Sequence, residues 1–490
     1  MTKKISAFLA GLTCVAISGS LLMTTGCSKN NDGPPSTGLT SDTLKGTIST
    51  DVTLRSGNTY YLNGAVFIAK NFTLKIEPGV VIKAIKGTKA VLVITRGAKI
   101  DAQGTTSQPI VFTSNQAAGS RNTGDWGGIV LLGKASVNTS TTLSSTDGGG
   151  AGTRIVEGFD NAEIAAYGGN IVGGGQSSPD DNDNSGTMKY VRIEFPGIPL
   201  SSTANSELNG LTLVAVGAGT TLDYIQVSYS GDDSFEWFGG TVNAKHLIAY
   251  RGLDDDFDTD NGFRGKVQFG FSVRDNTIYD VGSAASNGFE SDNEDPVPST
   301  LHTPITAPVF SNITLVGPGA FVGTVNINAA FGRAALLRRG TKTSIFNSVL
   351  TGWGNGIEIA DDFANGSATA GDLELKNNFL VAFNTNKFMY STYASGQTGT
   401  TNVGANILAN SANANDATLT AASGLNLSNL TLGSSIDVRP TGTSPLLNKA
   451  SFTSSKLSGL TTVTYVGAFS GTSDTWATTW TEFDPKSKTY

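Results

Sequence analysis

A chain of 490 residues that carries 60 glycines and only 15% charged residues is not organised as a helical bundle. Its formal net charge of −7 at pH 7 argues against a nucleic-acid partner, because proteins that bind nucleic acids present basic patches to the phosphates. The abundance of Thr, Ser, Asn, Val and Ile instead favours many short strands joined by tight turns.

Residues 1–26 are predicted to be a signal peptide, since two lysines precede an apolar run from Ile5 to Met23 and small residues follow it. Cys27 resembles the lipidated cysteine of a bacterial lipobox; ordinary cleavage that leaves a free thiol is the alternative. The other cysteine, Cys14, would leave with the signal peptide, so the mature chain cannot form an internal disulfide. Lipidation of Cys27 would attach the protein to a membrane.

Residues 27–50 are rich in Pro, Gly, Ser and Asn and lack apolar periodicity, which predicts a flexible tether. The folded body is predicted over 51–470. It contains repeated runs of apolar residues that end at a glycine, which is typical of short strands with sharp corners. Trp476 and Trp480 predict a C-terminal cap over 471–490 that closes the core.

One unit is written twice, 22 positions apart, in Gly231–Gly240 and Leu253–Gly262. Acids coincide at three positions of the two units, and Phe235 coincides with Phe257. A fixed period of this length is typical of a solenoid whose repeats stack on one another to bury their apolar faces. The acids of successive repeats are therefore expected to form a ladder along one side.

The phrases Leu74–Lys83, Gln108–Ser114 and Asp125–Gly133, together with the two acidic units, resemble right-handed parallel β-helix proteins of the pectin-lyase-like superfold. They are similar in particular to a group of outer-membrane lipoproteins from Bacteroidota. The resemblance covers roughly residues 60–490. It implies an all-β fold, a right-handed parallel β-helix with loops on its flank and a C-terminal cap, and an outer-membrane location at the cell surface.

Three segments interrupt the repeat and are predicted to be flank loops: 139–186, 291–308 and 391–424. In a solenoid, such insertions lie on one side of the stack and often carry the binding function.

The acidic ladder is the main candidate for function. The apolar–acid step of the two units returns twice more, so four acids are expected on one face: Glu236, Asp258, Glu290 and Glu358. Three of these acids and the nearby large or basic side chains form the candidate binding set: Glu236, Trp237, Tyr250, Arg264, Glu290 and Glu358. Stacked carboxylates repel one another unless they are solvated, protonated or bridged by a cation with oxygen ligands. The densest stretch predicts a calcium site formed by Asp254, Asp256, Asp258 and Asp260.

A second, weaker calcium candidate is the loop Asp181–Gly186, which begins like a calcium loop but has Arg192 where a ligating Glu is required. For both stretches the alternative is that Asp and Asn side chains cap local backbone groups at solvated turns.

The resemblance to the pectin-lyase-like superfold implies that an arginine beside calcium-binding acids could act as the base of a lyase, and six arginines lie near the ladder: Arg251, Arg264, Arg274, Arg333, Arg338 and Arg339. Paired acids could instead serve a glycosidase. No catalytic signature can be matched onto the arginines, and an Arg among acids is more often an ion pair. The leading hypothesis is therefore a non-enzymatic surface lipoprotein that binds a glycan or an outer-membrane transporter component. The alternatives are a polysaccharide lyase or glycosidase that acts on an acidic glycan, and an adhesive or structural surface protein.

Overall fold

The computed structural model describes residues 41–139, 151–198, 207–281, 285–385 and 387–490. The predicted signal peptide, Cys27 and the first part of the predicted tether lie outside these residues. Residues Thr37–Tyr490 form one compact unit. Across the described ranges, no helix combines the length and apolar character needed to cross a membrane.

The described chain is dominated by strands, most of them three to eight residues long. In chain order they are β1 (Thr43–Ile48), β2 (Val52–Leu54), β3 (Thr59–Ile68), β4 (Thr73–Ile76), β5 (Val81–Ala84), β6 (Val91–Ile94), β7 (Lys99–Gln103), β8 (Ile110–Ser114), β9 (Ile129–Leu132), β10 (Arg154–Ile155), β11 (Val172–Gly173), β12 (Gly186–Glu194), β13 (Leu211–Val214), β14 (Thr221–Ser228), β15 (Phe235–Phe238), β16 (Ala244–Tyr250), β17 (Phe257–Asp260), β18 (Lys266–Val273), β19 (Phe289–Ser291), β20 (Val309–Val316), β21 (Arg333–Leu337), β22 (Ser344–Phe346), β23 (Val349–Thr351), β24 (Asn355–Ala360), β25 (Leu375–Lys376), β26 (Phe379–Val381), β27 (Met389–Thr392), β28 (Leu427–Asn429) and β29 (Asp437–Pro440).

Helices are few and short. The α-helices are α1 (Asn161–Tyr167), α2 (Gly319–Val322), α3 (Asp361–Ala370) and α4 (Val403–Ala409). Single 3-10 turns occur at Gly168–Ile171, Thr324–Asn326, Ser411–Asn413, Ala422–Leu425 and Ser455–Leu457.

The strands form a parallel β-helix, as the sequence predicts. Within the large sheet, strands pair in parallel with the strand one coil earlier and the strand one coil later, as β15 does with β13 and β17, and the strands of the first and last coils pair on one side. Strands β12, β14, β16, β18 and β20 are long enough to turn one corner, and the two halves of β12 pair with different strands, β7 and β8. Neighbouring coils are therefore separated by the ordinary inter-strand distance of about 4.8 Å.

The core is a set of side-chain columns that run through the coils. One column reaches from Leu92 in β6 to Met389 in β27 and includes three stacked phenylalanines, Phe235, Phe257 and Phe289. Neighbouring phenylalanine rings lie 5.6 Å apart between centroids. Because strand side chains alternate, the residue after each phenylalanine points away from this core. That alternation places the acids of the repeat outside the solenoid wall.

One corner of the coils carries a stack of aromatic residues with left-handed backbone conformation. Tyr190, Tyr224, His246 and Phe269 have φ between 52° and 62°. Their rings stack in that order, with the Tyr190–Tyr224 centroids 4.4 Å apart and the Tyr224–His246 centroids 4.2 Å apart. His246 also lies 2.7 Å from Asp223, so this histidine is a structural residue of the corner.

The first coil begins earlier than the sequence predicts. Strand β1 starts at Thr43 and pairs with β3, although residues up to 50 were expected to belong to the tether. Leu44 supplies the apolar anchor of this strand, since it is 1% exposed and joins the main core. A sequence-based prediction misses this strand, because one leucine is a weaker signal for a strand than the surrounding Gly, Ser and Thr are for a flexible segment.

The C-terminal segment does not cap the end of the solenoid. It returns along the flank as a strap, defined here as residues 451–490, toward the first coils. Trp480 is fully buried against Tyr190 and Tyr224, and the carbonyl of Tyr490 accepts a hydrogen bond from Lys83 in β5. Trp480 thus buries its ring on the aromatic corner, and the half-buried Trp476 packs beside it against Tyr224 and His246. These contacts correct the predicted role of residues 471–490.

The predicted flank loops are described in part or in full. The first includes α1 and the β10–β11 ribbon, although residues 140–150 fall outside the described ranges. The third includes α4, which packs against β27 and α3. The insertions at 291–308 and 391–424 both approach the wall that carries the acids, through Val297 and Tyr393 respectively.

Candidate functional site

Four acids lie in register along one wall of the solenoid. Glu236 pairs with Asp258, Asp258 with Glu290, and Glu290 with Leu336, which in turn pairs with Glu358. These four acids are named the carboxylate column. The predicted shared face is thus confirmed, with one leucine that separates Glu358 from the other three.

Three members of the column are crowded and poorly solvated. Burial raises the pKa of Glu236 well above its usual range, and the charges of Glu157 and Asp258 add to the effect. Burial and then the charges of Glu290 and Asp292 do the same for the pKa of Asp258. The charge of Arg338 lowers the pKa of Asp258 but does not outweigh burial and the neighbouring acids.

Glu290 is better compensated. Burial raises its pKa, and the charge of Asp292 adds to this, while Arg338 acts in the opposite direction. Arg338 donates to Glu290 and, at 2.9 Å, to Asp292. Asn287 also donates to Glu290 at 3.1 Å.

The column belongs to a larger acidic cluster that includes the residues just before β15 and β17. Three groups of carboxylates have oxygen atoms that all lie within 4.8 Å of one another. They are Asp232, Asp233 and Asp254; Asp233, Glu236 and Asp258; and Asp255, Asp258 and Glu290. Asp258 belongs to two of the groups, and its Oδ1 atom is buried without a hydrogen-bond partner among the described residues.

Sequence reasoning aligned Asp232, Asp233 and Asp255 with other acids of the repeat but did not include them among the predicted metal ligands. Burial, followed by the charges of neighbouring acids, raises the pKa of each well above the usual range. Asp233 accepts the backbone N–H of Asp255 at 2.7 Å, and Asp255 accepts that of Asn287. Their alignment across the repeat was a signal that these positions meet in adjacent coils.

The four predicted calcium ligands do not converge on one point. Asp256 and Arg274 are both fully buried, and they form an ion pair at 3.0 Å. Asp260 lies beside Asp292; burial and then this neighbour raise the pKa of Asp260 to about 7. Only Asp254 and Asp258 belong to the groups in which carboxylates come together. Asp256 is excluded because it points to the arginine inside the corner and away from the other acids.

Two aromatic candidates for ligand binding are buried. Trp237 is 0% exposed and stacks on Phe263 in the core, because it lies two residues after Phe235 on the same side of β15. Tyr250 is also 0% exposed and packs edge-on against Phe483 of the strap. Neither ring can stack on a ligand at the surface, which corrects both predictions.

Arg264 serves a different part of the molecule. It donates to Asp181 at 2.8 Å and to the Ser136 hydroxyl at 2.8 Å. Asp181 also accepts the backbone N–H and the hydroxyl of Ser136, and Asp183 lies 3.6 Å from Lys134. Donors from the protein thus occupy the carboxylate oxygens of Asp181 and Asp183. This is the alternative given in the sequence analysis, in which the acids of this loop bind local groups of the protein and not a cation.

Glu358 has a full set of partners. Arg333 donates to it at 2.5 Å, Tyr390 at 2.7 Å and Thr392 at 2.6 Å. Burial acts to raise its pKa, but the hydrogen bonds of Thr392, Tyr390 and Arg333 outweigh burial and hold the pKa below its usual value. Glu358 is therefore an occupied carboxylate.

Every arginine considered as a lyase base has a carboxylate partner within the described residues. The pairs are Arg251–Asp275, Arg264–Asp181, Arg274–Asp256, Arg333–Glu358, Arg338–Glu290 and Arg339–Asp292. A guanidinium held by a carboxylate is stabilised in its charged form and cannot take a proton from a substrate.

A surface cleft adjoins the column on its C-terminal side. Its walls come from both insertions that approach this side and from the strands between them: Val297, Arg338, Arg339, Ala360, Asp361, Thr392, Tyr393, Ala394 and Gln397. A concave lining that combines apolar, aromatic and polar side chains is usual for a small-ligand site.

Comparison with known families agrees with this architecture. A family model described as "Pectate-lyase like beta helix domain" matches residues 46–431, more than three quarters of the chain. No curated protein matches the sequence. The matched range includes every coil from the end of β1 to β27 and the whole carboxylate column. The chain therefore belongs to the family of pectate-lyase-like β-helix domains.

Proposed function

We propose that this protein is a non-enzymatic, lipid-anchored binding protein of the outer membrane, and that a calcium ion in the acidic cluster forms part of its ligand site. Its ligand would be a glycan that meets the cation and the adjoining cleft, with an outer-membrane protein as the alternative partner. The non-enzymatic part of the proposal rests on the six candidate arginines, because a carboxylate holds each of them and none is free to act as the base of a lyase.

The acidic cluster supports the cation. Asp258 offers a buried oxygen without a hydrogen-bond partner and belongs to two of the three carboxylate groups. Calcium prefers oxygen ligands and tolerates irregular geometry, so a cation held by Asp258 with Asp233 and Glu236, or with Asp255 and Glu290, suits the chemistry of these donors. It would also relieve the repulsion that raises their pKa values.

The cleft supports a polar ligand of modest size. Tyr393 and Gln397 line it from the 391–424 insertion, and Arg338 borders both the cleft and the column. A sugar ring could pack on the tyrosine while its hydroxyl groups coordinate the cation or accept from the guanidinium.

The membrane anchor rests on Cys27 and the signal peptide before it. A palmitate label on the full-length chain expressed in a bacterium with lipoprotein-processing enzymes tests it. We expect the label on the wild type and none on Cys27→Ser.

Thermal unfolding of residues 28–490 with calcium and with chelator tests the cation. At 100 times Kd, a ligand that binds only the folded state stabilises it by about 2.7 kcal/mol, so Tm should rise with calcium concentration. Asp258→Asn should remove most of this rise. Glu358→Gln is the matched control, since it neutralises an acid of the same column that already has partners. Equal Tm values in millimolar calcium and in chelator would contradict the proposal.

Incubation with acidic polysaccharides tests the absence of catalysis. A lyase forms an unsaturated uronate that absorbs ultraviolet light, and a glycosidase forms new reducing ends. We expect neither product, with or without calcium. Calcium-dependent cleavage that disappears in Asp258→Asn would replace the binding proposal with the enzymatic alternative.

A further inference from the structure

Charge is distributed very unevenly along the solenoid. Residues 41–139, which form the first coils, contain eleven Lys and Arg against five Asp and Glu, a net charge of +6. Residues 207–300, which include the acidic cluster, contain five Lys and Arg against sixteen Asp and Glu, a net charge of −11. A chain whose formal net charge is −7 thus has a basic end.

Some of the basic side chains at this end are neutralised within the protein. Arg55 is paired with Glu77, Lys86 with Asp125 and Lys89 with Glu163. Four others are exposed and have no acidic side chain within ion-pair distance among the described residues, and they are named the basic collar: Lys45, Lys70, Lys75 and Lys99.

The collar surrounds the start of the solenoid. Lys45 lies in β1, Lys75 in β4, Lys99 in β7 and Lys70 in the turn between β3 and β4. These elements belong to three successive coils and to different walls, since β1 pairs with β3 while β4 pairs with β7. The four lysines therefore share no lateral face. They lie instead within about 10 Å of one another along the solenoid axis, at its first end, since neighbouring coils are about 4.8 Å apart.

The acidic cluster does not cancel this charge. Glu236 in β15 lies four coils beyond Phe67 in β3, through β6, β9 and β13. Four coils correspond to about 19 Å, which exceeds twice the Debye length of about 8 Å at physiological salt. A surface that meets the first coils end-on would therefore feel the lysines far more strongly than the acids.

We propose that the basic collar binds an anionic lipid surface and holds the solenoid end-on, with the acidic cluster directed away from the bilayer. The collar suits phospholipid headgroups, because lysine acts as a point charge without the planar geometry that arginine uses for specific recognition. Each lysine near such a surface raises affinity about fivefold, so four together contribute on the order of several hundredfold.

The inference rests on the proposed function in one respect, the anchor at Cys27. A tether of about 15 residues reaches at most about 50 Å, and a link of this kind gives an effective concentration in the millimolar range. Once the protein is anchored, the lysines would touch the membrane for much of the time, even if their contact is too weak to hold an unanchored protein there. The basic collar would determine how the solenoid is oriented on the membrane, and the lipid at Cys27 would keep the protein there.

The test uses lipid-free residues 28–490 in chelator, so that neither lipidation nor calcium contributes. These residues contain every strand of the compact unit. Flotation with vesicles of phosphatidylglycerol and phosphatidylcholine should carry the wild type at about 0.15 M salt, where the Debye length is about 8 Å, and vesicles of phosphatidylcholine alone should not. The variant with Lys45, Lys70, Lys75 and Lys99 changed to Gln should bind the anionic vesicles on the order of a hundredfold more weakly or not at all.

The matched control changes Lys245, Lys342, Lys387 and Lys449 to Gln, which alters the net charge by the same amount but later in the chain. Its binding to the vesicles should stay within about twofold of wild type, since these lysines lie more than a Debye length from the first coils. Both variants should unfold close to the wild-type temperature, since the one ion pair removed among the described residues, between Lys342 and Asp372 at 2.7 Å, is solvent-exposed and contributes at most about 1 kcal/mol. Equal loss in both variants, equal binding to the two vesicle types, or capture of the wild type by soluble heparin but not by vesicles would each overturn the inference. None of these results depends on whether Cys27 is lipidated or calcium binds.

Discussion

Asp258 and Glu358 occupy equivalent outward positions of the same wall, yet their environments differ. Asp258 has Glu236 and Glu290 as its neighbours across the sheet, and burial and acidic neighbours raise its pKa. Glu358 has Leu336 and Tyr390 as its neighbours, and hydrogen bonds from three side chains hold its pKa below the usual value.

The difference shows that the repeat places a carboxylate but does not determine its chemistry. In the middle coils the next acid lies one coil away, so each negative charge repels the others and raises their pKa values. In the later coil the flanking positions supply a guanidinium and two hydroxyl groups. Carboxylates of the first kind are suited to bind a cation, and those of the second kind stabilise the fold.

A third acid marks the extreme of compensation. Asp256 and Arg274 are both fully buried and pair with each other. Arg274→Leu should destabilise the protein by about 3–5 kcal/mol in urea unfolding, because it leaves a buried carboxylate without its counter-charge. The double variant with Asp256→Asn should recover part of the loss. Additive losses in the double variant would show that the pair is not coupled.

The comparison of Asp258 with Glu358 can be tested by the same change of charge at both positions. Without calcium, Glu358→Gln should cost about 1–3 kcal/mol, because it removes hydrogen bonds to a charged group. Asp258→Asn should instead stabilise the protein by about 1 kcal/mol, because it removes a repulsive charge. Urea unfolding in chelator measures both values, and the same sign for both variants would contradict the contrast.

The pH dependence should separate the two environments in a different way. A carboxyl group with a raised pKa in the folded state binds more protons there, so stability falls as pH rises from about 4 through the folded value, which is about 7 for Asp260. Glu358, with its lowered pKa, contributes stability above about pH 4 that is lost as pH falls.

Metal-free protein should therefore lose stability between pH 5 and pH 7, by about 1.4 kcal/mol per pH unit for each group that titrates there. Asp260→Asn should reduce this slope, and Glu358→Gln should not. Saturating calcium should reduce the part of the slope that comes from the clustered acids, since the cation competes with protons for their oxygens, and should leave the contribution of Asp260. A wild-type slope of zero in chelator would contradict the raised pKa values.

The coils and the column could be predicted from the sequence because the signal is local and periodic. The 22-residue repeat aligns Glu236 with Asp258, and the same apolar–acid step identifies Glu290 and Glu358. Trp237 is buried because period-two alternation continues from Phe235, a consequence that was available from the sequence.

Other features depend on contacts that leave no local trace. Asp256 lies in the corner before β17, where strand alternation does not yet apply, and Arg274 lies 18 residues later. Lys83 and Tyr490 are 407 residues apart, so the return of the strap has no periodic signature. The predicted calcium set failed to converge for the same reason, since the ligands come from corners as well as strands.

The smallest expected effect concerns the pair of Arg264 and Asp181, an acid that is compensated like Glu358 but lies nearer to solvent. Their side chains are 26% and 47% exposed, and Ser136 also donates to the carboxylate. Arg264→Gln should therefore cost at most about 1 kcal/mol, as is usual for solvent-exposed ion pairs. The rise of Tm with calcium should match that of the wild type, because Arg264 contacts none of the clustered acids. A lost calcium response would show that the 181–186 loop and the acidic cluster act as one site.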